Sequence, residues 1–149
     1  MRTPTSANSS PPERRHRSEA ADTLAGAPAR NLLQVSGAIV LVSTGEVLAT
    51  NIAWARTAWE RARGLIARPP LDGGAALVID PARQVHTFGM SYAIDIVFCD
   101  SRWVVRHVVR SMKPGRLTRW VARGRYAIEL AQGSVPQDVA CGERVILKL

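Results

Sequence analysis

The sequence predicts a mainly β chain: an antiparallel sandwich or partly closed barrel of about seven or eight short strands, with one amphipathic helix over 57–67 and a short C-terminal helix. Three observations carry this. Short runs rich in Val, Ile and Leu recur, among them AIVLVS, AALVID, IDIVFCD and ERVILKL. Turn residues punctuate them, at Thr44-Gly45, LDGG and Lys113-Pro114-Gly115. Sustained helical periodicity occurs in one stretch, TAWERARGLIAR.

Before these elements stands MRTPTSANSSPPERRHRSEAADTLAGAPAR, residues 1–30, rich in Pro, Ser, Ala and Arg. Such a composition buries too little apolar surface to offset its ordering entropy, so it reads as a disordered tail. It has no apolar signal-peptide core, and no hydrophobic stretch follows Arg14-Arg15. The expectation is a cytoplasmic chain without a membrane segment. Residues 31–149 are then a single β-rich domain, long enough for one modest core.

The elements follow in order. AIVLVS, the Thr44-Gly45 turn and EVLATNIAWA read as a hairpin. In the helix, Thr57 and Glu60 have capping-box spacing, and Pro69-Pro70 stop it. Trp59, Ala62, Leu65 and Ile66 share its apolar face. Gly64 costs about 1 kcal/mol relative to alanine inside a helix, and close approach to a strand is the expected reason. After LDGG and the strand AALVID, the segments QVHTF and IDIVFCD read as two strands joined by residues 89–93. In WVVRHVVRSM, four valines within six positions decide for strand over helix. Arg102, Arg106 and Arg110 then alternate with Val104 and Val108 on one face. Trp103, Val105, His107 and Val109 share the other, which makes His107 a core histidine. RLTRWV is ambiguous, and YAIELA is a strand carrying Glu129. Ser134 to Cys141 reads as a short helix with a Ser134/Gln137 capping box and Pro136 in its first turn; Gly142 ends it before ERVILKL.

Two chemistries receive no support. Cys99 and Cys141 are far apart and form neither a metal pattern nor a redox pair, and His16, His86 and His107 never recur at ligand spacing. No metal or other cofactor is expected. The net charge is +8, and Ser101 to Ile128 contains basic residues and no acidic ones. A one-sign stretch can attract polyanions, with Trp103 or Trp120 stacking on bases. No nucleic-acid motif accompanies it, so the solvated face of a basic protein is preferred and nucleic acid is not expected as a partner.

ERARGLIAR, then HTFGM with AIDIVFCD, then YAIELAQG ahead of Gly142-Glu143 occur in this order. With these motifs the chain resembles the domain of unknown function 192 family over most of residues 46–149. Matching positions are Arg61, Gly64, Leu65 and Arg68, then Phe88, Met90, Asp95 and Phe98, then Tyr126, Glu129, Leu130 and Gly133. The resemblance implies a compact β-rich fold bearing a helix and carries no established activity.

The candidate interaction residues are Arg61, His86, Met90, Asp95 and Glu129. Asp95 and Glu129 each sit in an apolar strand, where a lone carboxylate is costly to bury. Asp95 is expected to anchor loop amides near Met90 or to pair with Arg61, and Glu129 to meet a basic side chain. Met90, at a loop tip, reads as a plug in its own core in preference to a groove floor. The favoured function is a non-enzymatic module that binds a small ligand or a protein. One alternative is a hydrolase- or lyase-type enzyme on a small polar substrate, with Asp95 and Glu129 dividing acid and base roles and His86 as proton shuttle. A second is weak polyanion or nucleic-acid binding through 102–125.

Overall fold

The computed structural model describes residues 32–149. The tail expected over 1–30 lies outside the described residues. The described chain is mainly β, with strands β1 (Leu33–Leu41), β2 (Val47–Ala55), β3 (Ala75–Ile79), β4 (Ile94–Cys99), β5 (Val105–Met112), β6 (Tyr126–Ala131) and β7 (Val145–Lys148), and a single helix α1 (Ala58–Arg63). All seven strands form one sheet in the order β5-β4-β6-β3-β2-β1-β7.

The sheet curls into a half-barrel. The start of β5 meets the start of β7 through a Val104–Arg144 bridge, and Val105 N–H donates to the Glu143 carbonyl at 2.8 Å. Gly37 lets β7 lie close against β1: a Cβ there would stand 2.6 Å from the Lys148 carbonyl. Strand alternation then sorts the apolar residues into two clusters. Residues such as Ile39, Ile52, Val78, Val97, Ile128 and Val145 fill the inner face. Leu77, Ile79, Ile94, Ile96 and Phe98 point outward, covered by Leu65, Ala82, Val85 and Val121 from the connecting segments.

Most pairs are antiparallel, as expected, but β2 and β3 pair in parallel through a crossover containing α1. The helix begins where its capping box predicts: Thr57 Oγ1 accepts from the Glu60 amide (3.2 Å), and Glu60 Oε2 accepts from the Thr57 amide (2.9 Å). It is shorter than 57–67. Gly64 closes it at φ 45°, ψ −123°, a region that favours glycine. Its reason is therefore this turn, made beside a strand side chain: a Cβ added there would stand 4.0 Å from Glu129 Oε2 on β6. Because the helix stops there, Leu65 reaches the core from beyond the cap, while Trp59 is left 72% exposed.

Three further expectations are corrected. QVHTF does not form a hairpin with β4; His86 bridges Leu117, within the RLTRWV stretch whose type the sequence leaves open. The helix expected over Ser134–Cys141 is absent, since that segment runs as turns. Its polar groups are committed elsewhere: the Pro136 and Val139 carbonyls accept from Arg110 Nη2 at 2.7 and 3.0 Å, and the Val135 amide donates to Asp95. Finally, β5 does not alternate cleanly. Register shifts opposite Phe98/Cys99 and Ile94/Ile96 place Val105 in the inner cluster with Val108, not with His107 and Val109.

Candidate functional site

The site begins with the alternation of β6. Ile128 and Leu130 pack into the inner core, so Glu129 between them must point outward. Across the sheet it is flanked by Leu77 and Ile96, both buried. Along its own strand face the neighbours are Ala127 and Ala131, too small to fill the space above a glutamate. On the sheet, the side chain is therefore flanked by hydrocarbon. Glu129 is 2% exposed, and its Oε2 has no hydrogen-bond partner. Burial raises its pKa from 4.5 to about 8, because water no longer stabilises the charged form. The expected salt bridge to Glu129 does not form.

Above Glu129 lies an open cavity of about 350 Å³. One wall is the end of α1 and the turn after it. At Gly64, an added Cβ would stand 4.0 Å from Glu129 Oε2, so this residue leaves the carboxyl uncovered. Ile66, Ile79 and Val85 contribute apolar walls, while Arg61, Arg63 and Arg83 bring positive charge. Arg61 is also tied back, its Nη1 donating to the Arg56 carbonyl. Arg83 lies over the ring of Trp120 at 5.9 Å, and that indole is 61% exposed at the cavity.

His86 enters the same cavity. Its neighbours Val85 and Thr87 are buried and pinned by backbone bonds: the Thr118 amide donates to the Val85 carbonyl (2.9 Å) and the Thr87 amide to the Arg116 carbonyl (2.8 Å). The imidazole stacks on Phe88 with centroids 5.3 Å apart, and its buried Nδ1 lacks a partner. Met90 does both things weighed for it, packing on the outer cluster and lining the cavity.

Asp95 stands elsewhere. It pairs with Leu130 across β4–β6, hence on the inner side of the sheet. Its carboxylate accepts three backbone amides: Ser111 at 2.8 Å, Gly133 at 3.0 Å and Val135 at 3.1 Å. Ser111 occupies a β5 irregularity with φ 51°, so its amide has turned out of the ladder and needs an acceptor. Asp95 does tie down loop amides, though in the 133–135 turn, not near Met90.

The structure thus brings Arg61, His86, Met90 and Glu129 to one cavity and leaves Asp95 outside it. Sequence reasoning missed Arg83 as a lining residue and weighed Trp120 only as a base-stacking group. An aromatic set among arginines at Arg119-Trp120 was the available signal, hidden because RLTRWV has no clear periodicity. His107 is half-buried, stacked on Phe98 at 6.2 Å, with Arg119 Nη2 3.2 Å from its Nδ1. Among the described residues no three His, Cys, Asp or Glu side chains cluster as metal ligands, and no helix is long and apolar enough to cross a membrane.

The family model for domain of unknown function 192, described as uncharacterized ACR, matches residues 39–147. The chain belongs to this family. Of the positions that match the family's motifs, Arg61, Gly64, Leu65, Met90 and Glu129 line the cavity, whereas Asp95 serves the opposite face. No curated protein matches the chain. Two solved structures share the fold. One is a candidate transcription regulator from Sinorhizobium meliloti, 18% identical, with a TM-score of 0.65, covering 76% of this chain and 95% of that one. The other is a protein of unknown function from Novosphingobium aromaticivorans, 19% identical, with a TM-score of 0.69, covering 82% of this chain and 91% of that one.

Proposed function

We propose that this domain of unknown function 192 protein is a small-molecule-binding module whose ligand occupies the cavity over Glu129. The observation that carries this reading is the unpaired, fully buried carboxyl at the cavity floor. A native fold seldom tolerates a buried polar group without a partner, and an incoming ligand would supply one. The cavity volume of about 350 Å³ falls in the range of small-ligand pockets, and its apolar walls with a few convergent polar groups fit the same description.

A fragment screen read by amide chemical shifts tests this. Binders are expected to perturb Gly64, Ile66, His86 and Trp120, and Ala62→Trp, which crowds the cavity from an exposed helix position, is expected to suppress them. Binders that cluster elsewhere and ignore Ala62→Trp would refute the reading.

One observation favours a second reading. Glu129 and His86, both with an unpartnered buried atom, line one cavity, which suits acid–base chemistry. Asp95 has no part in it. Turnover of a small polar substrate by the wild type but not by Glu129→Gln would move the assignment to this reading.

A further inference from the structure

We infer that the cavity takes a small organic anion, its carboxylate or phosphate held at the arginine-lined mouth and an acceptor atom of its body reaching Glu129. This rests on the ligand-binding reading and gives it a substrate class. Arg61, Arg63 and Arg83 come from two different segments and converge on the cavity. Guanidinium groups match carboxylate and phosphate oxygens in paired hydrogen bonds. Glu129 is the acidic residue of the lining, and it lies at the buried end, so a cationic ligand would pass three guanidinium groups to reach it. With burial holding its pKa at about 8, the carboxyl is largely protonated at pH 7, and its O–H can donate a hydrogen bond to an acceptor. His86 Nδ1, also unpartnered, gives a second polar contact. Ile66, Ile79 and Val85 add apolar wall to the same cavity, so the ligand's body is hydrocarbon or aromatic.

Anion binding at this cavity depends on pH. The titratable and charged groups around Glu129 are Arg61 and Arg63 on α1, Arg83 and His86 on the segment before β4, and Tyr92. The guanidiniums keep their charge throughout. Burial first, and then the Glu129 charge, raise the Tyr92 hydroxyl's pKa, which keeps it neutral. Glu129 is the carboxyl among these groups, and it gains a negative charge as pH rises through about 8; ionisation there repels an anion.

The test uses the full chain and matched probes: para-methoxybenzoate, para-methoxybenzamide, para-methoxybenzylamine and para-methoxyphenyl phosphate. Each is titrated by calorimetry, and its site is mapped on the amides of Gly64, Ile66, His86 and Trp120. One or both anions are expected to bind at these residues, with the amide and the amine weaker by at least about tenfold. The benzoate and phosphate arms tell which anionic group is preferred. Anion affinity is expected to fall by about tenfold or more between pH 7 and about pH 9.5, and to stay flat over this range in Glu129→Gln. Amine or amide binding at the cavity that equals or exceeds anion binding would overturn the anion class while leaving the ligand-binding reading intact. If no probe of any charge shifts those residues, both fall.

Discussion

Asp95 on β4 and Glu129 on β6 are one position out of register, Asp95 facing Leu130 and Ile96 facing Glu129, so two carboxylates on hydrogen-bonded strands lie on opposite sides of the sheet. They cannot share a cleft. Their chemistry differs accordingly. Asp95 is saturated with backbone amides, while Glu129 Oε2 has none.

That contrast predicts opposite effects of substitution. Asp95→Ala orphans three amide donors, and stability should fall by about 3 kcal/mol, as for stranded buried hydrogen-bonding groups. Chemical denaturation measures the loss. Hydrogen exchange should show faster exchange at Ser111, Gly133 and Val135.

Glu129→Gln should instead stabilise the fold at neutral pH. The folded-state pKa of about 8 exceeds the ordinary 4.5. Between these values the unfolded chain has released a proton that the folded chain retains. Stability therefore declines as pH rises from about 4.5 towards 8 and levels off above. Glutamine removes this slope, with a gain of up to about 3 kcal/mol at pH 7. Melts across pH 4 to 9 check it; parallel curves for the two proteins would refute it.

How much of this was legible in the sequence follows from which interactions are local. The strand runs and the Thr57/Glu60 cap depend on near neighbours and on periodicity, and the structure has them. The Ser134–Cys141 helix failed because distant groups, Asp95 and Arg110, take its amides and carbonyls. QVHTF stands next to β4 along the chain, but in space its His86 bridges Leu117. For the site, residue type singled out Glu129, His86, Met90 and Arg61. The face on which a carboxylate lies depends on sheet register, and register with a non-sequential neighbour cannot be read from strand alternation alone.

Arg110 holds the segment after β6 through three carbonyls, Pro136, Gln137 and Val139. Arg110→Met keeps the aliphatic stem and removes the donors. A stability loss of about 1–2 kcal/mol is expected, with faster exchange confined to residues 133–142. Global loosening of the sheet would contradict this role.

The basic stretch should bind nucleic acid weakly. Arg106 is paired with Asp100 at 2.6 Å, Arg110 is spent on carbonyls, and Arg125 sits 2.8 Å from Asp80 in an ion pair too bent for a hydrogen bond. Fewer cations remain for phosphates, so binding should vanish near physiological salt. Sub-micromolar affinity persisting there in a gel-shift series, and lost when Arg102, Arg116 and Arg123 become glutamine, would contradict this.

A neutral, unpartnered carboxyl at the floor of the cavity is what sets this site apart. Carbon-13 NMR of labelled glutamate side chains, with the Glu129 signal assigned by its loss in Glu129→Gln, reads this directly. A titration midpoint near 8 is expected, displaced when a cavity ligand saturates the protein. A midpoint in the ordinary carboxylate range, about 4.3, unmoved by any cavity binder, would contradict it.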